Sequence, residues 1–282
     1  MITIDEVDAA MPKILTPEQI RSYHADGYVA PIDVLPREKA VEYRRRMEES
    51  ERAWGPIRAE RRAYKPHLLF RWAAELVRES AVLDAVEDII GPNILVYQFT
   101  IFPKESRDPG FVDWHQDATY FSLKPDAQIA AWVAVSDASL EAGCMEVIPG
   151  SQLLDQLPHE DRASKHNLLS RGQTVAVPFD TSRTDFMPLA TGQMSLHHTH
   201  ILHRSGPNNS ADRRIGFGVS YIPTDCRCTS KVRVTASLVR GVDTYGHFDP
   251  EPVPKTDYDA DARLAHAEAL QRYNEMRALI YQ

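Results

Sequence analysis

The sequence is poor in cysteine, with Cys144, Cys226 and Cys228 as the only three in 282 residues. So few exclude a disulfide framework. Cys226-Arg227-Cys228 also lacks the two-residue gap of a zinc-ligand pair or a redox motif. Long apolar runs are missing, which excludes a hydrophobic transmembrane helix. The opening stretch MITIDEVDAAMPKIL is acidic and has no apolar signal core, so a soluble, cytoplasmic protein is expected. Positive charge is in deficit as well: 40 acidic residues against 32 Lys and Arg give a formal net charge of -8. That balance disfavours nucleic acid and anionic membranes as partners. Internal repeats, low-complexity tracts and Gly/Ser linkers are absent, so residues 1–282 read as a single domain of unknown oligomeric state.

What is present divides by periodicity. TPEQIRSYHADG carries a helix start at Thr16, with Pro17 in the first turn, Gln19 closing a capping box and Gly27 as the stop. PREKAVEYRRRMEESERAWGP and LLFRWAAELVRESAVLDAVEDIIGP continue a helical layer over about 15–92. From about 93 to 223 the segments NILVYQFTIFP, QIAAWVAVSD, CMEVIPGS, QTVAVPF, GQMSLHHTHILH and RRIGFGVSYIP read as strands separated by turns. The region 229–282 reads as a loop-rich tail closed by the polar helix DARLAHAEALQRYNEMRALIYQ. The fold class is mainly β with helices: a jelly roll, cupin-like, behind an N-terminal helical layer.

FVDWHQDATYF places His115 and Asp117 two residues apart. On a strand, that spacing turns both side chains to one face. The pair alone is either half of a metal site or an ordinary polar patch. GQMSLHHTHILHRSGPNNSADRR then adds His203 at the end of a strand. Two His and one carboxylate with open positions suit a non-haem Fe(II) oxygenase. Arg213 and Arg214 follow at the start of the next strand, and a planar guanidinium there would grip a carboxylate. Adjacent strand residues face opposite sides, so only one of the two can enter the site.

WHQDATY, AWVAVSD, GCMEVIPGSQ, GQMSLHH, HRSGPNNSADRR and YIP together resemble the phytanoyl-CoA dioxygenase family. The resemblance runs from about Leu15 to about Tyr221. It implies a double-stranded β-helix and oxygenase activity with Fe(II), 2-oxoglutarate as cosubstrate and O2. It implies iron ligands at His115, Asp117 and His203. Arg214 and Ser205 would hold the 2-oxoglutarate carboxylate, Trp132 would pack beside it, and Lys104 and Gln98 would lie in its pocket. Trp114, Thr119, Tyr120 and His200 are candidates for the substrate pocket. Asp117 argues for hydroxylation, because related halogenases carry Ala or Gly there.

The implied reaction is hydroxylation of an unactivated C–H bond, giving succinate and CO2. A small polar metabolite or a natural-product intermediate is the expected substrate. Desaturation, epimerisation or cyclisation on the same site stays open, as does a metal-binding cupin-like module without turnover. A zinc hydrolase fits less well, since no general base is placed near the triad. Ser151–Thr191 and the basic run RAERRAYK at Arg58–Lys65 are candidate lids, the latter able to meet an anionic substrate.

Overall fold

A computed structural model describes residues 12–162, 164–169 and 172–280. The expectations for the acidic residues 1–11, and for Tyr281 and Gln282 at the end of the last helix, lie outside those residues.

Helix α1 (Pro17–Asp26) begins as its sequence requires. Thr16 Oγ1 accepts from Gln19 N at 3.2 Å, and the Gln19 side chain accepts from Thr16 N at 2.8 Å. Two otherwise orphaned amides are thereby satisfied. Gly27, at φ 85°, supplies the left-handed stop. Helix α2 (Arg37–Trp54) buries Ala40, Tyr43, Met47 and Ser50, a single stripe at helical spacing. Helices α3 (Arg71–Leu76) and α4 (Ser80–Ile90) complete the layer.

The main strands are β1 (Tyr28–Asp33), β2 (Ile94–Lys104), β3 (Val112–His115), β4 (Ile129–Ala134), β5 (Met145–Val147), β6 (Asp185–Met187), β7 (Gln193–His198), β8 (His203–Ser205), β9 (Arg214–Pro223), β10 (Thr235–Arg240) and β11 (Asp249–Pro250). Among the described residues they form a large sheet in the order β1-β7-β4-β9-β2-β10-β11. A smaller sheet runs β3-β8-β5-β6. Alternation along β9 divides its side chains between two environments. Ile215, Phe217, Val219 and Tyr221 enter the core shared with the helical layer. Arg214, Gly218 and Ser220 line a cavity bounded on its far side by the smaller sheet. The mainly β jelly roll with its N-terminal helices is therefore the architecture found.

Three local readings are corrected. GQMSLHHTHILH is not one strand: β7 ends at His198, Thr199 and His200 form a turn, and β8 begins at His203. The segment expected to be loop contains β10, which pairs with β2, and β11, which pairs with β10. The basic run is only partly a cationic surface, with Arg58 and Arg61 exposed. Arg62 and Lys65 are buried, bonded to Glu60 and Glu251 respectively, and Arg58 donates to Pro103 O at 2.6 Å. Helix α5 (Ala260–Ile280) closes the chain. No helix among the described residues is long and apolar enough to cross a membrane.

Candidate metal centre

The register of the small sheet brings the two remote histidines together. His203, first residue of β8, pairs directly with His115, last residue of β3, and their ring centroids are 4.1 Å apart. His115 Nδ1 lies 2.9 Å from Asp113 O, and His203 Nδ1 lies 3.0 Å from Ile201 O. A carbonyl only accepts, so each Nδ1 carries the proton and each Nε2 is a bare lone pair.

Asp117 reaches the same point by another route than the one expected. The strand stops at His115, and Asp117 opens a short 3-10 turn, Asp117–Tyr120. Strand parity therefore does not align the pair. Gln116 fixes the bend instead. Its amide donates to His200 O at 2.8 Å and its carbonyl accepts from Leu157 N at 2.8 Å. Asp117 Oδ1 ends 3.5 Å from His115 Nε2 and 3.8 Å from His203 Nε2.

These three residues form a set whose ligand atoms all lie within 4.8 Å of one another. Ligands about 2.1 Å from a shared ion can be at most about 4.2 Å apart, so the 3.5 Å and 3.8 Å separations from Asp117 fit. Burial, reinforced by His115, lowers His203 well below an ordinary imidazole. The donor set is two neutral imidazole lone pairs and one carboxylate, converging without a proton between them. That chemistry fits a divalent cation such as Fe(II).

Arg214 resolves the choice between the paired arginines. Arg213 points away and binds Glu51 and Glu105. Arg214 lines the cavity, buried, with its guanidinium carbon 5.2 Å from the Trp132 ring centroid. Its Nε has no hydrogen-bond partner among the described residues. Burial lowers its pKa to about 10, which leaves it charged at neutral pH. Ser205 and Gln98 also line the cavity. Lys104 does not. It is fully buried behind Ser205 and donates to Ser205 Oγ at 2.8 Å, to Ser205 O at 3.3 Å and to Gly206 O. Burial and the neighbouring Arg214 lower its pKa to about 6.

The remaining candidates separate. Tyr120 lines the cavity and its hydroxyl donates to Gln173 Oε1 at 3.2 Å. Trp114 faces the other way, against Val175, Leu202 and Phe179, under Arg204. Thr119 lies in the turn outside the cavity lining, with its amide on Gln116 O. His200 lies outside it too, 3.8 Å from Asp126. From the candidate lids, Tyr64, Leu168 and Leu169 reach the cavity. Sequence reasoning missed His197, and it missed Tyr273 and Arg277 of α5. Tyr273 and Arg277 are four apart, a helical spacing that puts both on one face.

Three comparisons bear on this site. A probable alpha-ketoglutarate-dependent hypophosphite dioxygenase from Stutzerimonas stutzeri is 28% identical over 174 residues, 58% of each chain. An L-proline trans-4-hydroxylase from Streptomyces griseoviridis is 28% identical over 166 residues, 52% of this chain and 62% of that one. The alignments thus span less than two thirds of either relative's length. Among solved structures, the non-heme monooxygenase ThoJ in its apo form is 31% identical. It superposes with a TM-score of 0.83 over 94% of this chain and 99% of that one. The family model described as Phytanoyl-CoA dioxygenase (PhyH) matches residues 23–216, a stretch that holds α2 to α4, His115, Asp117, His203 and Arg214. With most of the chain matched and the triad assembled at one end of its cavity, the protein belongs to the phytanoyl-CoA dioxygenase family.

Proposed function

We propose that the protein is an Fe(II)- and 2-oxoglutarate-dependent dioxygenase that hydroxylates a C–H bond of a small polar metabolite or natural-product intermediate. The observation carrying this reading is the presence of the His115, Asp117 and His203 donor set and the buried Arg214 cation in one cavity. The similarity to an alpha-ketoglutarate-dependent dioxygenase and to a proline hydroxylase supports it.

His115, Asp117 and His203 would hold the iron, which with 2-oxoglutarate and O2 supplies the oxidising power for C–H cleavage. The protein's own contribution is placement. Arg214, its guanidinium over the Trp132 ring, offers its fork to the far carboxylate of 2-oxoglutarate. Ser205 adds a hydroxyl held in place by Lys104. Tyr120, Phe121, Leu168 and Leu169 give an apolar wall that limits water near the reacting carbon, and Tyr273 and Arg277 close the substrate end.

The test is anaerobic. Fe(II) and then 2-oxoglutarate are added, and the visible spectrum is recorded. A weak charge-transfer band that disappears in Asp117→Ala or His203→Ala protein is expected. Iron bound with no such band would overturn the cosubstrate assignment. Succinate release in air then screens substrates.

A further inference from the structure

His197 is a buried histidine of the cavity that the reading above leaves unused. Alternation along β7 sends Met194 and Leu196 into the core and turns His197 to the cavity beside Ala130, its register partner on β4. The ring is 2% exposed. Its Nε2 is 3.7 Å from Asp117 Oδ2, and its centroid is 4.9 Å from that of His203. Its Nδ1 has no partner among the described residues. The two oxygens of Asp117 are thus divided. Oδ1 faces His115 and His203, and Oδ2 faces His197.

We infer that His197 is a positioning residue: its Nε2, 3.7 Å from Oδ2 of Asp117 and just outside hydrogen-bond range, closes on that oxygen when the metal is bound, so that Oδ1 alone is presented to the metal. The inference rests on the metal-centre reading above. Its physical basis is that a carboxylate rotates about its last bond unless something fixes the plane, and a bidentate carboxylate would occupy a position needed by another ligand. Asp117 starts a turn and is not held by a strand, so its orientation needs support from outside its own segment. Backbone carbonyls do this for His115 and His203. For the second oxygen of Asp117, His197 supplies the nearby donor.

The experiment compares wild-type protein with His197→Ala, His197→Gln and His197→Leu. Co(II) affinity and the Co(II) visible spectrum are measured without cosubstrate or turnover. Partners of this kind change metal affinity by about 10- to 100-fold when removed. A loss of that size with an altered spectrum is expected in His197→Ala and His197→Leu. Recovery is expected in His197→Gln, whose amide keeps a donor. If His197→Ala does not fold, the Gln and Leu pair carries the comparison, with circular dichroism as the check on folding. Wild-type affinity and spectrum in folded His197→Leu would overturn the inference, and so would a Gln variant no better than Leu. Failure of wild-type protein to bind Co(II) or Fe(II) would overturn the metal-centre reading instead.

Discussion

The Trp132 indole occupies the volume that a β-carbon on Gly216 would need, its Cζ2 atom 1.7 Å from that position. Gly216 is therefore required for close approach, and the indole it admits supports the Arg214 guanidinium. Gly216→Ala should push the indole off the strand and disturb the cation resting on it. Overpacking of this kind costs about 1–3 kcal/mol. A lower midpoint in thermal unfolding and a weaker 2-oxoglutarate titration should appear together. A variant as stable as wild type would show that the indole has room to move.

Arg214→Lys should retain the charge and lose the fork. Lysine cannot reproduce two parallel N–H donors against one carboxylate, nor lie flat on Trp132. A lost charge-assisted hydrogen bond costs about 1.5–3 kcal/mol, so half-saturation by 2-oxoglutarate should rise roughly tenfold or more. Titration of the anaerobic charge-transfer band measures it directly. Iron binding should be unaffected, because Arg214 is not among the three metal donors.

Much of this was legible before the coordinates, and the exceptions have physical causes. The cap at Thr16, the stop at Gly27 and the helical layer follow from local chemistry, and local chemistry decided them. Arg214 was chosen over Arg213 by family spacing, and the parity of β9 accounts for their opposite directions. Asp117 was placed beside His115 for the wrong reason. A turn set by Gln116, whose partners lie at Leu157 and His200, is a long-range arrangement that two-residue spacing cannot encode. His197 lies in the same histidine-rich stretch as His200 and His203, and sequence spacing alone does not say which of them faces the cavity. The role of α5 was hidden by its polar sequence, although Tyr273 and Arg277 reach the cavity. Strand β10 carries no local hairpin signal: its partners are the distant β2 and the two-residue β11, which runs parallel to it.

Glu251 predicts an acid-sensitive fold. Its carboxylate is buried against Lys65, with His67 Nε2 at 2.9 Å, Thr235 Oγ1 at 2.6 Å and Ser237 Oγ at 2.6 Å. Burial would raise its pKa, but the Lys65 charge and the His67 hydrogen bond hold it far below the usual range. Burial lowers His67 despite Glu251. Both folded values are depressed, so both contributions are complete above the unfolded values and are lost as pH falls. Urea unfolding should show stability declining below about pH 6.5 for His67 and again below about pH 4.3 for Glu251. Glu251→Gln strands a buried Lys65 cation and should cost about 3–5 kcal/mol at neutral pH. Its stability should also change less with pH in the lower window. An unaltered slope there would show that other carboxylates control acid unfolding.

Arg277 gives the sharpest separation of substrate from cosubstrate. It stands on α5 with its guanidinium carbon 5.5 Å from the Tyr120 ring centroid and 5.8 Å from that of Tyr273, and it lines the same cavity as Arg214. Among the described residues that line the cavity, the carboxylate is Asp117, which the metal would engage. A substrate with an anionic or strongly accepting group can be met by Arg277 on the α5 side of the cavity. Arg277→Ala should raise the KM for such a substrate roughly tenfold, the loss of one charge-assisted contact. Slow succinate release in the absence of substrate should be unchanged, since Arg214 and the triad are untouched. Measuring succinate with and without substrate separates the two effects. A raised 2-oxoglutarate KM with substrate affinity intact would instead assign Arg277 to the cosubstrate, and the wall formed by α5 would lose its role in choosing what is oxidised.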